Sequence, residues 1–199
     1  MLNKNLKNTT LCKVRTITSF LTLSKDQSTW EKKIAQASLF GGNLANEFSK
    51  NNYEVQSIRI VTNAFGEYLN TSCLQSARED MQTLSDILKS PSMPNFRIRF
   101  AIGEAKTAAE VEMLPELIKE FGDICNACVN VEVDDLGVPD DEMTQLCAKA
   151  VAKIGQITPR GEGNFNFTVN YNCKPLSPIF LHRITMAVMR IVSHWEWKH

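Results

Sequence analysis

Five short segments of period-two alternation and four long apolar stripes of helical period take strict turns along this chain. Few folds are open to a chain with that order. Strands joined through helical crossovers pair in parallel, and the crossovers are right-handed. The expected strands are residues 13–23, 55–62, 96–102, 125–133 and 165–171. The second of them carries the most informative side chain. Arg59 stands between Ile58 and Ile60, so it faces away from two branched apolar residues. A strand covered by helices on both faces would be apolar throughout. Elsewhere Phe96, Ile98 and Phe100 alternate with Arg97, Arg99 and Ala101, and Phe165, Phe167, Val169 and Tyr171 with Asn166, Thr168 and Asn170. One face of the sheet is therefore expected to take the helices. The other carries Arg15, Arg59, Arg97, Arg99, Asn130, Glu132, Asn166, Thr168 and Asn170. A doubly wound sheet would bury that row of charge at high cost. A curved, mainly parallel five-stranded α/β sheet with helices on one face, half of a barrel, fits better.

The helices have their own punctuation. Ser28-Thr29-Trp30-Glu31 has the spacing of a capping box and opens the first, over residues 30–50. Gly41-Gly42 inside it costs about 1 kcal/mol per glycine relative to alanine, which suggests close approach of a neighbouring backbone. The second helix spans residues 72–90 and is stopped by Pro91 and Pro94. Thr107-Ala108-Ala109-Glu110 caps the third, which Pro115 is expected to break into two pieces before Gly122 ends it. Gly103-Glu104 is expected to close the third strand. Pro139-Asp140 leads into the fourth helix, striped by Met143, Leu146, Cys147, Ala150, Val151 and Ile154.

At 199 residues, with 43% hydrophobic and 22% charged content, the chain suits one domain with a real core. Lys plus Arg and Asp plus Glu are both 22, so neither nucleic acid nor an anionic membrane is expected as a partner. The start lacks the apolar core of a signal peptide, and no run of about 18 apolar residues exists. Six cysteines without such a segment read as reduced thiols in a cytoplasmic protein. Residues 1–12 are polar and expected to be disordered, residues 13–180 form the domain, and residues 181–199 make an atypical tail.

The segments KVRTITSFLTL, the W-E-K helix start, YEVQSIRIVTNAFGEYL and RGEGNFNFTVNYN resemble the conserved family filed as domain of unknown function 711. The resemblance covers residues 13–180. It implies the barrel fold of pyruvate formate-lyase and ribonucleotide reductase, in which two five-stranded parallel halves run antiparallel to each other. The strands counted above would form the first half. The resemblance carries over no activity, no catalytic residue and no cofactor. The glycyl radical loop of the better-known relatives lies near their C-termini and has no counterpart to map here. After Phe180 the chain departs from the family with LHRITMAVMRIVSHWEWKH, as a truncated gene model, a retained intron or a short isoform would.

Several constellations invite a chemical reading. Cys125-Asn126-Ala127-Cys128 has redox spacing but opens a strand rather than a helix, and no second pair supports zinc; the structural reading prevails. His182, His194 and His199 all fall in the tail, so no Ser-His-Asp set can form upstream and no metal site is expected. Gly161-Glu162-Gly163 reads as a turn. Ligands of parallel sheets bind beyond the carboxyl ends of the strands. Those ends offer Thr62, Asn63, Glu67 and Tyr68, then Gly103 and Glu104, then Asp134 and Asp135, then Asn170, Tyr171 and Asn172. Carboxylates from three different loops could bind a metal or work as acid and base; capping and solvation are the plainer roles. Arg15, Arg59, Arg97 and Arg99 could hold an anion by bidentate contacts, or pair internally with Glu132 and with carboxylates of the missing half. Two function classes follow. In one the chain is the N-terminal half of a barrel enzyme acting on a small anionic metabolite, inactive alone. In the other it is a non-catalytic module that oligomerises, or recruits a partner, through exposed sheet edges.

Overall fold

The computed structural model describes residues 13–173, apart from 92, 94 and 95. Its strands are β1 (Ile17–Leu21), β2 (Ile58–Thr62), β3 (Ile98–Glu104), β4 (Asn126–Val131) and β5 (Phe167–Tyr171). Its helices are α1 (Trp30–Lys50), α2 (Leu74–Lys89), α3 (Ala108–Phe121) and α4 (Asp141–Ile157), one in each crossover. The four strand-to-strand pairings are parallel, and the spatial order is β1-β2-β3-β4-β5. A sheet that adds each strand on the same side, by crossovers of one hand, carries its helices on one face. The core bears this out. Ile60, Phe100, Ile102, Ala127, Val129, Val131 and Phe167 point into one cluster with Ile34, Met81, Leu84, Leu114, Leu117 and Ile154 of the helices. Among the described residues the sheet does not close on itself: β1 and β5 form its two edges, consistent with half of a barrel.

The register carries the arginines to the other face. Thr18, Arg59 and Arg99 are partners across β1, β2 and β3, and Asn130 pairs with Asn170 across β4 and β5. Between Ala101 and Gly103 the β3–β4 register shifts by a bulge, which brings Glu104 level with Cys128. Gly103 is the next-to-last residue of β3, which ends at Glu104 as expected; its φ of 88° makes the bulge possible. A Cβ there would stand 2.2 Å from the Asn63 carbonyl oxygen.

Several local expectations need correction. The first two strands are shorter than their apolar runs, because Val14 and Val55 meet only in an isolated bridge before the ladder begins. The cap of α1 is Thr29, whose side chain makes no capping bond. Instead a turn of 3-10 helix, Gln27–Thr29, precedes α1, and Asp26 caps it by accepting from Ser28 N–H. The close neighbour of Gly41 is the Ile58 side chain, 2.8 Å from where a Cβ would sit, rather than backbone. Pro115 does not break α3. It lacks one amide donor, but it is buried with Val111, Leu114, Leu117 and Ile118, and that packing keeps the helix continuous. Phe165 and Asn166 precede β5, in the 3-10 stretch Pro159–Asn166. Phe165 is 88% exposed, and Asn166 donates to the Gly122 carbonyl, so neither belongs to the alternating faces. The capping box at Thr107 and Glu110 is present as expected. No helix among the described residues is long and apolar enough to cross a membrane. Residues 1–12 and the tail at 181–199, with its three histidines and Pro94 before them, lie outside the described residues.

Candidate functional site

The two cysteines of the C-x-x-C occupy opposite sides of the sheet. Cys125 is buried in the helix-side core, and Cys128 stands level with Glu104 and Thr168 on the polar face, its thiol near the Gly103 carbonyl. Both are free, and burial pushes both thiols well above the ordinary range. Cys73 is the contrast. It is exposed at the N-terminus of α2, where the hydrogen bond with the Ser76 hydroxyl, and then the Ser76 amide, lower its pKa. Among the described cysteines, Cys73 is expected to alkylate first with iodoacetamide at neutral pH. Ser76→Ala should move its labelling profile to higher pH. Peptide mass spectrometry after short exposures checks the order, and earlier modification of Cys128 would contradict it.

The remaining candidates separate into two groups at opposite ends of the strands. At the carboxyl ends, Asn63 follows β2 and is consumed by structure. Its Oδ1 accepts from Leu23 N–H at 2.9 Å, and its amide donates to the Leu23 carbonyl and to Glu67. Glu67 also accepts from Lys106 at 2.6 Å. Burial tends to raise its pKa, but the bonds from Lys106 and Asn63 outweigh it, so the carboxylate is held below the usual range. Tyr68 is not a loop ligand but a core residue. Its hydroxyl lies 2.9 Å from Thr62 Oγ1 and donates to the Ile102 carbonyl, and burial drives its pKa far up against the opposing effect of the Thr62 bond.

Glu104 does face a cleft of about 300 Å³, shared with Lys106, Asn130, Glu132, Asp140 and Met143. Asp134 stays outside it and accepts from Leu136 and Val138 N–H, which fixes the turn after β4. Asn170 is buried beside Asn130, and its amide nitrogen has no partner. No group of three or more His, Cys, Asp or Glu among the described residues is placed to hold a metal ion.

At the amino ends, the structure brings Arg15, Arg59, Arg97 and Arg99 together. They line one polar cavity of about 180 Å³ with Thr16, Gln56 and Ser57. Arg59 and Arg99 come from paired register positions, so their backbones lie about 4.8 Å apart with both side chains on one face. Arg15 donates to Gln56 Oε1 at 3.1 Å, and the Ser57 hydroxyl donates to the Arg15 carbonyl. Arg97 reaches Asp123 at 3.7 Å in an exposed pair worth little. No ion pair among the described residues takes in Arg59 or Arg99. Glu132 lies beyond the far end of β4 and lines the other cleft, so pairing with it does not account for these charges. Burial first, then the charges of Arg99 and Arg15, lower the pKa of Arg59.

Sequence reasoning missed Thr16, Gln56, Ser57 and Lys106. The three around the arginines fall inside the expected strands but just before the observed β1 and β2, and as uncharged polar residues they carry no signal that sets them apart from others on the strands. The family model described as Uncharacterised ACR (DUF711) matches residues 5–187. No curated protein matches the chain.

Proposed function

The chain belongs to the family of uncharacterised proteins termed DUF711, and from that premise we propose that it binds a small anionic metabolite on the polar face of its sheet, as one half of a barrel enzyme. The observation that carries the reading is the cavity lined by Arg15, Arg59, Arg97 and Arg99, of which Arg59 and Arg99 have no carboxylate among the ion pairs of the described residues. Two half-buried like charges stand on neighbouring strands; burial first, and then the charge of Arg99, lower the pKa of Arg59. A fold retains such an arrangement when an anion relieves it.

The position of the cavity supports the enzymatic half of the reading. It lies at the amino ends of the strands, away from the edge where a parallel sheet alone presents its ligands. In a barrel of two antiparallel halves, the amino ends of one half lie with the carboxyl ends of the other. The arginines would then supply binding charge, and the facing half would supply the reactive groups.

Isothermal titration with oxalate, malonate and inorganic phosphate at low ionic strength tests the reading. At least one should bind. The double variant Arg59→Ala/Arg99→Ala should weaken it on the order of a hundredfold, since each charged hydrogen bond contributes about 1.5–3 kcal/mol. Equal binding by the variant would remove the site, as would no binding by the unaltered chain.

A further inference from the structure

We propose that the group gripped between Arg59 and Arg99 is a phosphoryl group. The inference rests on the anion reading above and narrows its chemistry. A carboxylate holds its two oxygens in one plane, and one guanidinium fork takes its bidentate edge. Arg59 and Arg99 open side by side from register-paired positions of β2 and β3, so the bound group must serve two forks at once. A phosphoryl group offers three free oxygens in a tetrahedral spread and can give an edge to each. Charge selects in the same direction. Close to −2 at neutral pH, it offsets both arginines, where a single carboxylate offsets one.

The cavity wall adds a further donor. Thr16 Oγ1 is buried and has no hydrogen-bond partner, and Thr16 lines the same cavity. A hydroxyl that neither solvent nor protein satisfies is costly unless a ligand oxygen takes its proton. The Ser57 hydroxyl and the Gln56 amide stand on the same rim. About 180 Å³ accommodates a phosphoryl group with a few carbons.

The test is competitive titration with inorganic phosphate, pyrophosphate, malonate and succinate, all at one pH and ionic strength. Phosphate or pyrophosphate is expected to bind at least about tenfold more tightly than either dicarboxylate. Thr16→Val, isosteric but without the hydroxyl, should lower phosphate affinity about fivefold to tenfold and leave malonate affinity unchanged. Arg97→Gln, at the exposed rim, should cost less than Arg59→Gln, and matched thermal melts confirm that both variants are folded. If a dicarboxylate binds more tightly than the phosphates, the phosphoryl inference is wrong while the anion site stands. If none of the four binds, the anion site itself is wrong.

Discussion

Gly103→Ala is expected to lower the unfolding free energy by about 3 kcal/mol or more. Two costs act at this one position. The residue has a φ of 88°, which an alanine adopts only with strain. The added Cβ would also stand 2.2 Å from the Asn63 carbonyl oxygen and 2.9 Å from that of Thr62. Those atoms are backbone and cannot swing aside as a side chain can. They also sit where Asn63 clamps Leu23, so relief by movement would disturb the link between β1 and β2. Gly137 supplies the comparison. Its φ is 80°, but nothing lies within 4 Å of a Cβ there, so Gly137→Ala should cost only the conformational strain, about 1 kcal/mol. Urea midpoints of the two variants against the parent measure the difference. Equal shifts would show that the clash at Gly103 is relieved freely.

Trp30→Ala is expected to cost about 3–5 kcal/mol. Trp30 is fully buried at the first turn of α1. Its ring meets Tyr68 edge-on with centroids 5.7 Å apart, and its indole N–H donates to the Ser24 carbonyl at 2.8 Å. One side chain thus ties the loop after β1, the start of α1 and the loop after β2. Trp30→Phe keeps most of the area and the edge contact but leaves the Ser24 carbonyl unpaired, so about 1–3 kcal/mol should remain lost. Thermal melts of the two variants give the comparison. A Trp30→Phe variant as unstable as Trp30→Ala would assign the stability to the hydrogen bond rather than to packing.

The architecture was readable in the residues because one signal repeats through it. Ile58-Arg59-Ile60 and Ile98-Arg99-Phe100 place charge and apolar bulk on opposite faces, and the register confirms it strand by strand. Boundaries were less legible, since hydrogen bonding and not hydropathy ends a strand. Val14 and Val55 are apolar yet stop at a single bridge. Pro115 misled for a related reason: its rule concerns an isolated helix, and burial against α3's neighbours overrode it. Of the site, alternation delivered the arginines. It could not tell that Asn63 and Asp134 are occupied in holding loops, because polar loop residues look alike until their partners are known. Nor could it show that the charges gather at the end of the sheet opposite the one parallel strands lead us to inspect.

The strand order has a further meaning for how the chain acquires its shape. Ile17 pairs with Ile58, Ile58 with Ile98, Ala101 with Asn126 and Ala127 with Phe167, so no pairing among the described residues reaches past the next unit. Each pairing closes a loop of roughly 25–40 residues, and the closure entropies differ by only about 0.4 kcal/mol. No segment has to wait for a distant one before it can dock. The sheet can grow by accretion in the direction of synthesis, each unit offering its newest strand as the template for the next. The growing edge is then a kinetic device as well as a boundary, and in the sheet described here that edge is β5.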